Sequence, residues 1–291
     1  MINLSRLPKN RFFSWLGSTY RNMEIEFYKY QGAGNDFILL DQRLVAHISR
    51  EDTEFIRFCC DRRFGIGADG LILLRQAPDY DFEMIYFNAD GSESTLCGNG
   101  GRCIVRFAHD LGMIQHRTRF LAIDGGHEAV VGEQPDQVQL QLADVDAVRR
   151  HGDDYILNTG SPHLVRFVDE LDHFPVVDTG RFLRNQPDFW PGGINVNFAR
   201  ESGQALQVRT YERGVEDETL ACGTGVAAAA LAAAVRNHLR EGSHTTRVVA
   251  RGGELHVSFH KMGNGSFRHI WLSGPAKPVF KGTITLDKRH P

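Results

Sequence analysis

ESTLCGNG, residues 93–100, and ETLACGTG, residues 218–225, are two versions of one phrase, and each sets a cysteine directly before Gly-X-Gly at the start of a helical pattern. After the first, RCIVRFAHDL carries the helical period as far as Gly112, which suits a C-terminal cap. After the second, Val226 to Val235 is Ala, Leu and Val on every side. A helix that is apolar all round has to be enclosed, and alanine side chains let neighbouring strands come close. The spacing therefore predicts a duplicated unit whose two copies, each with one central helix, face each other through Cys97 and Cys222.

Outward from the helices, both flanks read as strands. FILLD, LILLR, FEMIYF, TRFLAI, EAVVG and QVQLQL alternate between Gly, Asp, Asn and Pro punctuation on one side. YILNTG, HLVRFV, INVNFAR, LQVRTYE, TRVVA, ELHVSF and HIWLSG do so on the other. A polar passage at 144–154 separates the series and is the expected linker. The fold predicted is a helix threaded through a curved or closed sheet in each half; a helix packed between two sheets would leave the same trace. Residues 1–22 have no clear period, and Met23, which opens EIEFYKY, is a candidate start.

The totals agree with a globular protein of about two domains: 291 residues, 42% hydrophobic, 24% charged, net charge −3. No basic run interleaved with aromatics suggests nucleic acid. No apolar run approaches the roughly 20 residues of a membrane-spanning helix, and the leader lacks the uninterrupted apolar core of a signal peptide. Five cysteines, unevenly placed, argue for a reducing cytoplasm rather than a disulfide framework.

A cysteine at a helix start meets unpaired backbone N–H groups and the positive end of the helix dipole. Both favour thiolate, and such sites can bring a thiol pKa from about 8.5 to roughly 3.5–7.5. The same N–H groups bind carboxylates. Two such sites across a cleft suit one chemistry in particular. Inverting a carbon next to a carboxylate needs a base on one face and an acid on the other, with the roles exchanged in the reverse direction. The glycines let a substrate approach the N–H groups where Cβ atoms are absent. Cys59, Cys60 and Cys103 lack this context and read as small buried residues.

QGAGNDF, GIGADG, NADGSESTLCGNGGRC, GSPH, INVNF and YERGVEDETLACGTG, in that order, resemble the signature stretches of the diaminopimelate epimerase family, from Met23 nearly to the end. The resemblance implies an α+β fold of two similar domains, each a β-barrel-like sheet around a central helix. The N-terminal domain would span 23–145, completed by 274–291, and the C-terminal domain 146–273, after an extension at 1–22. It implies interconversion of LL- and meso-2,6-diaminopimelate in lysine biosynthesis, with no cofactor, no metal, and a homodimeric state. Carried over by motif, Cys97 and Cys222 are the acid and base, one thiolate and one thiol at rest. His163 and Glu212 tune them. Asn35, Asn88, Asn195, Glu212 and Arg213 contact substrate, and Gly98 with Asn99, and Gly223 with Thr224, hold carboxylate oxygens.

Three departures from the family pattern touch the pocket. Ser161 stands where many members have a substrate-binding Asn, and its shorter hydroxyl would reach the same oxygen through a water. Gly70 stands where some have Gln, and the loop from Glu212 to Cys222 has one residue more than usual and is acidic at Glu216 and Asp217. A two-thiol racemase of proline, hydroxyproline or histidine therefore stays open beside the diaminopimelate reading. A cysteine hydrolase using His163 would leave the second Cys-Gly-X-Gly without a purpose.

Overall fold

The structure, a computed structural model, describes residues 23–134, 136–189 and 191–286. The expected N-terminal extension, and residues 287–291 of the expected last strand, lie outside them. The first half runs β1 (Met23–Gly32), β2 (Asn35–Asp41), α1 (Thr53–Cys60), β3 (Gly70–Arg75), β4 (Phe82–Asn88), β5 (Glu93–Ser94), α2 (Gly98–Asp110), β6 (Arg117–Ala122), β7 (Gly125–Val131) and β8 (Gln137–Gln141). A short β9 (Arg149–His151) follows. The second half runs β10 (Asp154–Asn158), β11 (Pro162–Phe167), α3 (Val176–Arg184), β12 (Asn195–Ser202), β13 (Ala205–Glu212), β14 (Asp217–Thr219), α4 (Gly223–Arg236), β15 (Gly242–Ala250), β16 (Gly253–Lys261) and β17 (Phe267–Pro275), and β18 (Lys277–Leu286) ends the described chain.

The two halves have one topology. In the first, β1 and β2 form an antiparallel hairpin, β3 lies parallel to β2, β4 antiparallel to β3, and β6 parallel to β4. The antiparallel ribbon β6–β7–β8 follows. In the second, β10 and β11, β12, β13, β15, and then β16 and β17 repeat those relations step for step. The last strands of the two ribbons, β8 and β17, pair antiparallel and join the halves. At the far ends β18 pairs with β1, and β9 with β10. The result is the expected α+β fold of two similar units, each a curved sheet around one helix.

The helices show why the sheets curl. α2 packs against β1, β2, β3, β4, β7 and β8, and α4 against β10 to β13 and β15 to β17. Every residue of α4 from Gly225 to Ala234 is buried. At such positions an inserted Leu would meet strands on whichever side it pointed, at a cost of about 1–3 kcal/mol. The strand readings from sequence hold in every stretch quoted, but α1 and α3 were missed. Both are short, eight and nine residues, and each buries one narrow stripe against the outer face of its sheet: Ile56, Cys59 and Cys60 in α1, Val176, Gly180 and Leu183 in α3. The passage read as a linker contains β9, and its Val145 bridges to Phe267.

A second difference bears on chemistry. Both central helices begin earlier than expected: the glycines are inside the first turn, and Cys97 and Cys222 are themselves the N-cap residues. The two first turns meet head to head. A Cβ placed on Gly223 would lie 3.4 Å from Gly98 Cα, and one on Gly98 3.6 Å from Gly223 Cα. The two helix N-termini thus meet at backbone contact, and a Cβ on Gly223 would also come within 2.9 Å of Leu272 Cδ2.

Candidate active site

Around this junction lies a cleft of 1590 Å³, bordered by both cysteines and by every other site residue named from sequence except His163. Cys97 is half-buried on its wall and Cys222 is 6% exposed. Burial pushes both thiols up in pKa. The backbone N–H groups of Asn99 and Gly100 pull Cys97 back down, and that of Gly225 does the same for Cys222. The expectation of helix-start thiols lowered on balance is therefore corrected in its direction. The helix termini act in the foreseen direction, but desolvation of a sulfur anion outweighs them. Glu212 raises both thiols, accepts hydrogen bonds from the Cys222 thiol and, at 2.9 Å, from Thr219 Oγ1, and is itself raised by burial.

On the first side, Asn99 and Asn35 are joined in one chain of amides. Asn99 Nδ2 donates to Ala221 O at 2.7 Å, across the junction, and to Asn35 Oδ1. Asn35 Nδ2 donates to Asp69 Oδ2 at 3.0 Å. Behind them stands Arg102, which sequence reading passed over. It is 0% exposed and donates to Asn99 Oδ1 at 2.7 Å, Gly98 O at 3.2 Å and Pro275 O at 3.4 Å. Among the described residues no carboxylate pairs with it, and its field lowers the Cys97 pKa. Its signal in the sequence was a charge at i+5 from the N-cap of an otherwise apolar, glycine-rich helix start. Asn88, at the end of β4, donates to Ser92 Oγ at 3.4 Å, a turn contact at the rim of the cleft.

On the second side, the network is neutral. His163 is fully buried behind the cleft wall, and burial, with Arg213 nearby, holds its pKa down to about 3. The tautomer follows from Asn197, also missed from sequence although it is two residues from Asn195 on the same face of β12. The Leu164 carbonyl requires the Asn197 amide nitrogen on its side, at 3.0 Å, and that nitrogen also donates to His163 Nδ1 at 3.1 Å. Thr210 Oγ1 donates to Asn197 Oδ1 at 2.9 Å. The proton of the imidazole is then on Nε2, 2.9 Å from Ser161 Oγ and 3.0 Å from Thr224 Oγ1. Thr224 Oγ1 in turn lies 3.6 Å from Cys222 Sγ. His163 reaches the thiol through this hydroxyl.

Asn195 has each amide group engaged: Nδ2 donates to Ser161 Oγ and Pro162 O, both at 3.1 Å, and Oδ1 accepts from Arg213 N at 2.9 Å. It fixes the backbone that presents Arg213. That guanidinium borders the cleft and has no ion-pair partner among the described residues; its contact is Gly192 O at 3.5 Å. The extra acidity of the 212–222 loop is turned away from the cavity. Glu216 is paired with Arg184 at 2.8 Å and caps Gly214 N, so its charge is neutralised by α3. Cys59, Cys60 and Cys103 are buried, with thiols pushed up to about 12, as inert positions should be.

A two-unit α+β fold with two thiols at opposed helix starts, amides and, among the described residues, an arginine without an ion-pair partner around one cleft goes with the class of isomerases that act on amino acids. The family profile described as diaminopimelate epimerase matches residues 27–145 and 155–277. Relatives bearing that name include those of Flavobacterium psychrophilum, 47% identical over 89% of this chain and 100% of the relative, and of Chlorobaculum tepidum, 44% identical over 88% and 99%. The chain belongs to the diaminopimelate epimerase family. Among solved structures, a phenazine biosynthesis protein of the PhzF family from Bacillus anthracis shares the fold with a TM-score of 0.73 at 13% identity, covering 90% of this chain and 99% of that one. A hydroxyproline epimerase from Agrobacterium vitis does so with 0.65 at 16%, covering 91% and 94%. These last two speak for the fold alone.

Proposed function

We propose that the chain interconverts LL- and meso-2,6-diaminopimelate, a step of lysine biosynthesis, with Cys97 and Cys222 exchanging the roles of base and acid at the α-carbon. The observation that carries this is the head-to-head meeting of the two cysteine-capped helix starts in one cleft, together with relatives of that name matched over their whole length. The substrate α-carboxylate would sit against the N–H groups of Gly98–Asn99 and Gly223–Thr224, where enolate charge grows as the α-proton leaves. Glu212 opposes a second negative charge nearby, so only one thiol is ionised at a time. Arg102 offsets the desolvation of a Cys97 thiolate from behind, and Thr224, held by His163, does so for Cys222. Arg213 would take the distal carboxylate, for which a guanidinium fork suits.

We read 23–145 with 274–291 as one domain and 146–273 as the other; the pairing of β18 with β1 supports that division. The protein would work in the cytoplasm as a homodimer. Val279 and Phe280, 56% and 51% exposed on the terminal strand β18, support the second point.

The test is epimerisation in deuterated water. Wild-type protein should exchange the α-hydrogen of diaminopimelate with solvent, one centre in each turnover. Cys97→Ala and Cys222→Ala should each lower epimerisation by about 10² to 10⁴-fold or more, the scale of a positioned acid or base. Exchange confined to a monocarboxylate amino acid would overturn the substrate assignment, and turnover within about tenfold of wild type by either single variant would overturn the two-thiol mechanism.

A further inference from the structure

The departure at Gly70 leads to a residue that neither motif contains. Gly70 opens β3 opposite Asn88 of β4, and a Cβ there would lie 2.6 Å from Tyr86 Cε2, 3.2 Å from the Tyr86 hydroxyl and 2.5 Å from Phe87 O. The space above Gly70 is filled by the Tyr86 ring. Alternation along β4 puts Phe82, Met84 and Tyr86 on the α2 side, and the strand carries Tyr86 to the cleft end, where it borders the cavity. Phe37 holds the ring edge-on, with centroids 6.1 Å apart and planes at 75°.

The hydroxyl at the tip of that ring makes no hydrogen bond to protein among the described residues, which leaves it to the cavity that the ring borders. Burial acts on it most, and the ionisable groups that act on it are Cys97, Glu212, Asp69 and Cys60, all of which can carry negative charge. Together with burial they keep the phenol protonated, so that it faces the cavity as a donor.

We infer that Tyr86 contacts the substrate, its hydroxyl donating to a carboxylate oxygen of the bound amino acid, with Gly70 as the gap that admits the ring. This deepens the proposed function and rests on it for the nature of the ligand. A donor held by packing on a strand loses little freedom on binding, and a hydrogen bond to a charged oxygen is of the stronger kind. The pair also accounts for the departure at Gly70: one side chain stands where another would, supplied from the neighbouring strand.

Tyr86→Phe removes the oxygen and keeps the ring. It should raise KM for diaminopimelate about tenfold or more, with kcat within about threefold of wild type and an unchanged melting temperature. In a Cys97→Ala background, which binds without turnover, calorimetry should show a matching rise in Kd from the added Tyr86→Phe. A KM and Kd within twofold of the parent would overturn the inference. So would a fall in kcat with KM unchanged, which would place the hydroxyl on the thiol chemistry instead. If wild-type protein epimerises another amino acid, the substrate reading fails by itself, and the same ratios measured on that amino acid still decide the role of Tyr86.

Discussion

The two halves share a topology, a cysteine N-cap and a buried helix, yet the polar groups behind the two thiols differ in kind. Behind Cys97 is a positive charge, Arg102, with no carboxylate paired to it among the described residues and a chain of amides leading to Asp69. Behind Cys222 is a neutral histidine locked by Asn197 and reaching the sulfur through Thr224. A duplicated scaffold has kept its geometry while its electrostatics diverged. In the proposed reaction the geometry would serve the symmetry, a sulfur on each face of the carbon. The divergence would serve the asymmetry, one sulfur holding a proton while the other lacks it.

The largest effect separating the halves is expected at Arg102. Its positive charge lowers the Cys97 pKa, so Arg102→Met should raise it and move the limb of the kcat/KM profile that reports thiolate formation to higher pH, by about one unit at the effective dielectric of a protein site. Stability should fall as well, by about 2–4 kcal/mol, because Gly98 O and Asn99 Oδ1 lose their donor. Arg102→Lys should restore most of the limb position. A melting-temperature loss with an unmoved pH limb would mean that the guanidinium only braces Asn99.

Next is His163, whose effect is on stability against pH. Folded, it stays neutral down to about 3; unfolded, it takes up a proton near 6.5. Between those values the unfolded state binds one more proton, so stability rises with pH there and is lost as pH falls below 6.5, by about 2 kcal/mol on reaching pH 5. Urea unfolding of His163→Gln at pH 7 and pH 5 should show that portion of the pH dependence removed. An equal slope in variant and wild type would mean that the imidazole is protonated in place.

How much of this was legible beforehand follows from what sequence patterns encode. The strands, the two central helices and the cysteine pair are written as periods and as a repeated phrase, so they could be read directly. α1 and α3 were not, because a helix of eight or nine residues with one narrow buried stripe leaves too short a period to separate from a loop. Asn197 was hidden for another reason: its importance lies in three partners, His163, Leu164 and Thr210, that only strand register brings together. Arg102 and Tyr86 sat in plain view inside quoted stretches, but that one is wholly buried and the other fills a gap left by Gly70 is a matter of packing. The direction of the thiol shifts was hidden similarly, since local helix electrostatics can be inferred from spacing and desolvation cannot.

The smallest effect is at the far ends of the two central helices, where the duplicated halves use different residues for one backbone turn. α2 ends with Gly112 at φ 70, its N–H on His109 O and that of Met113 on Ala108 O. α4 ends the same way, His238 N–H on Val235 O and Leu239 N–H on Ala234 O, but with an exposed His238 at φ 51. Both are left-handed caps that satisfy the last carbonyls, and glycine adopts that conformation without the Cβ penalty. A Cβ on Gly112 would meet nothing within 4 Å, so Gly112→Ala tests the backbone alone and should cost about 1 kcal/mol. His238→Gly should gain about 0.5 kcal/mol, the relief of strain being partly offset by the greater freedom of glycine in the unfolded chain. Denaturant midpoints of the two variants should therefore move in opposite directions. A loss in both would show that His238 holds its turn by more than backbone geometry.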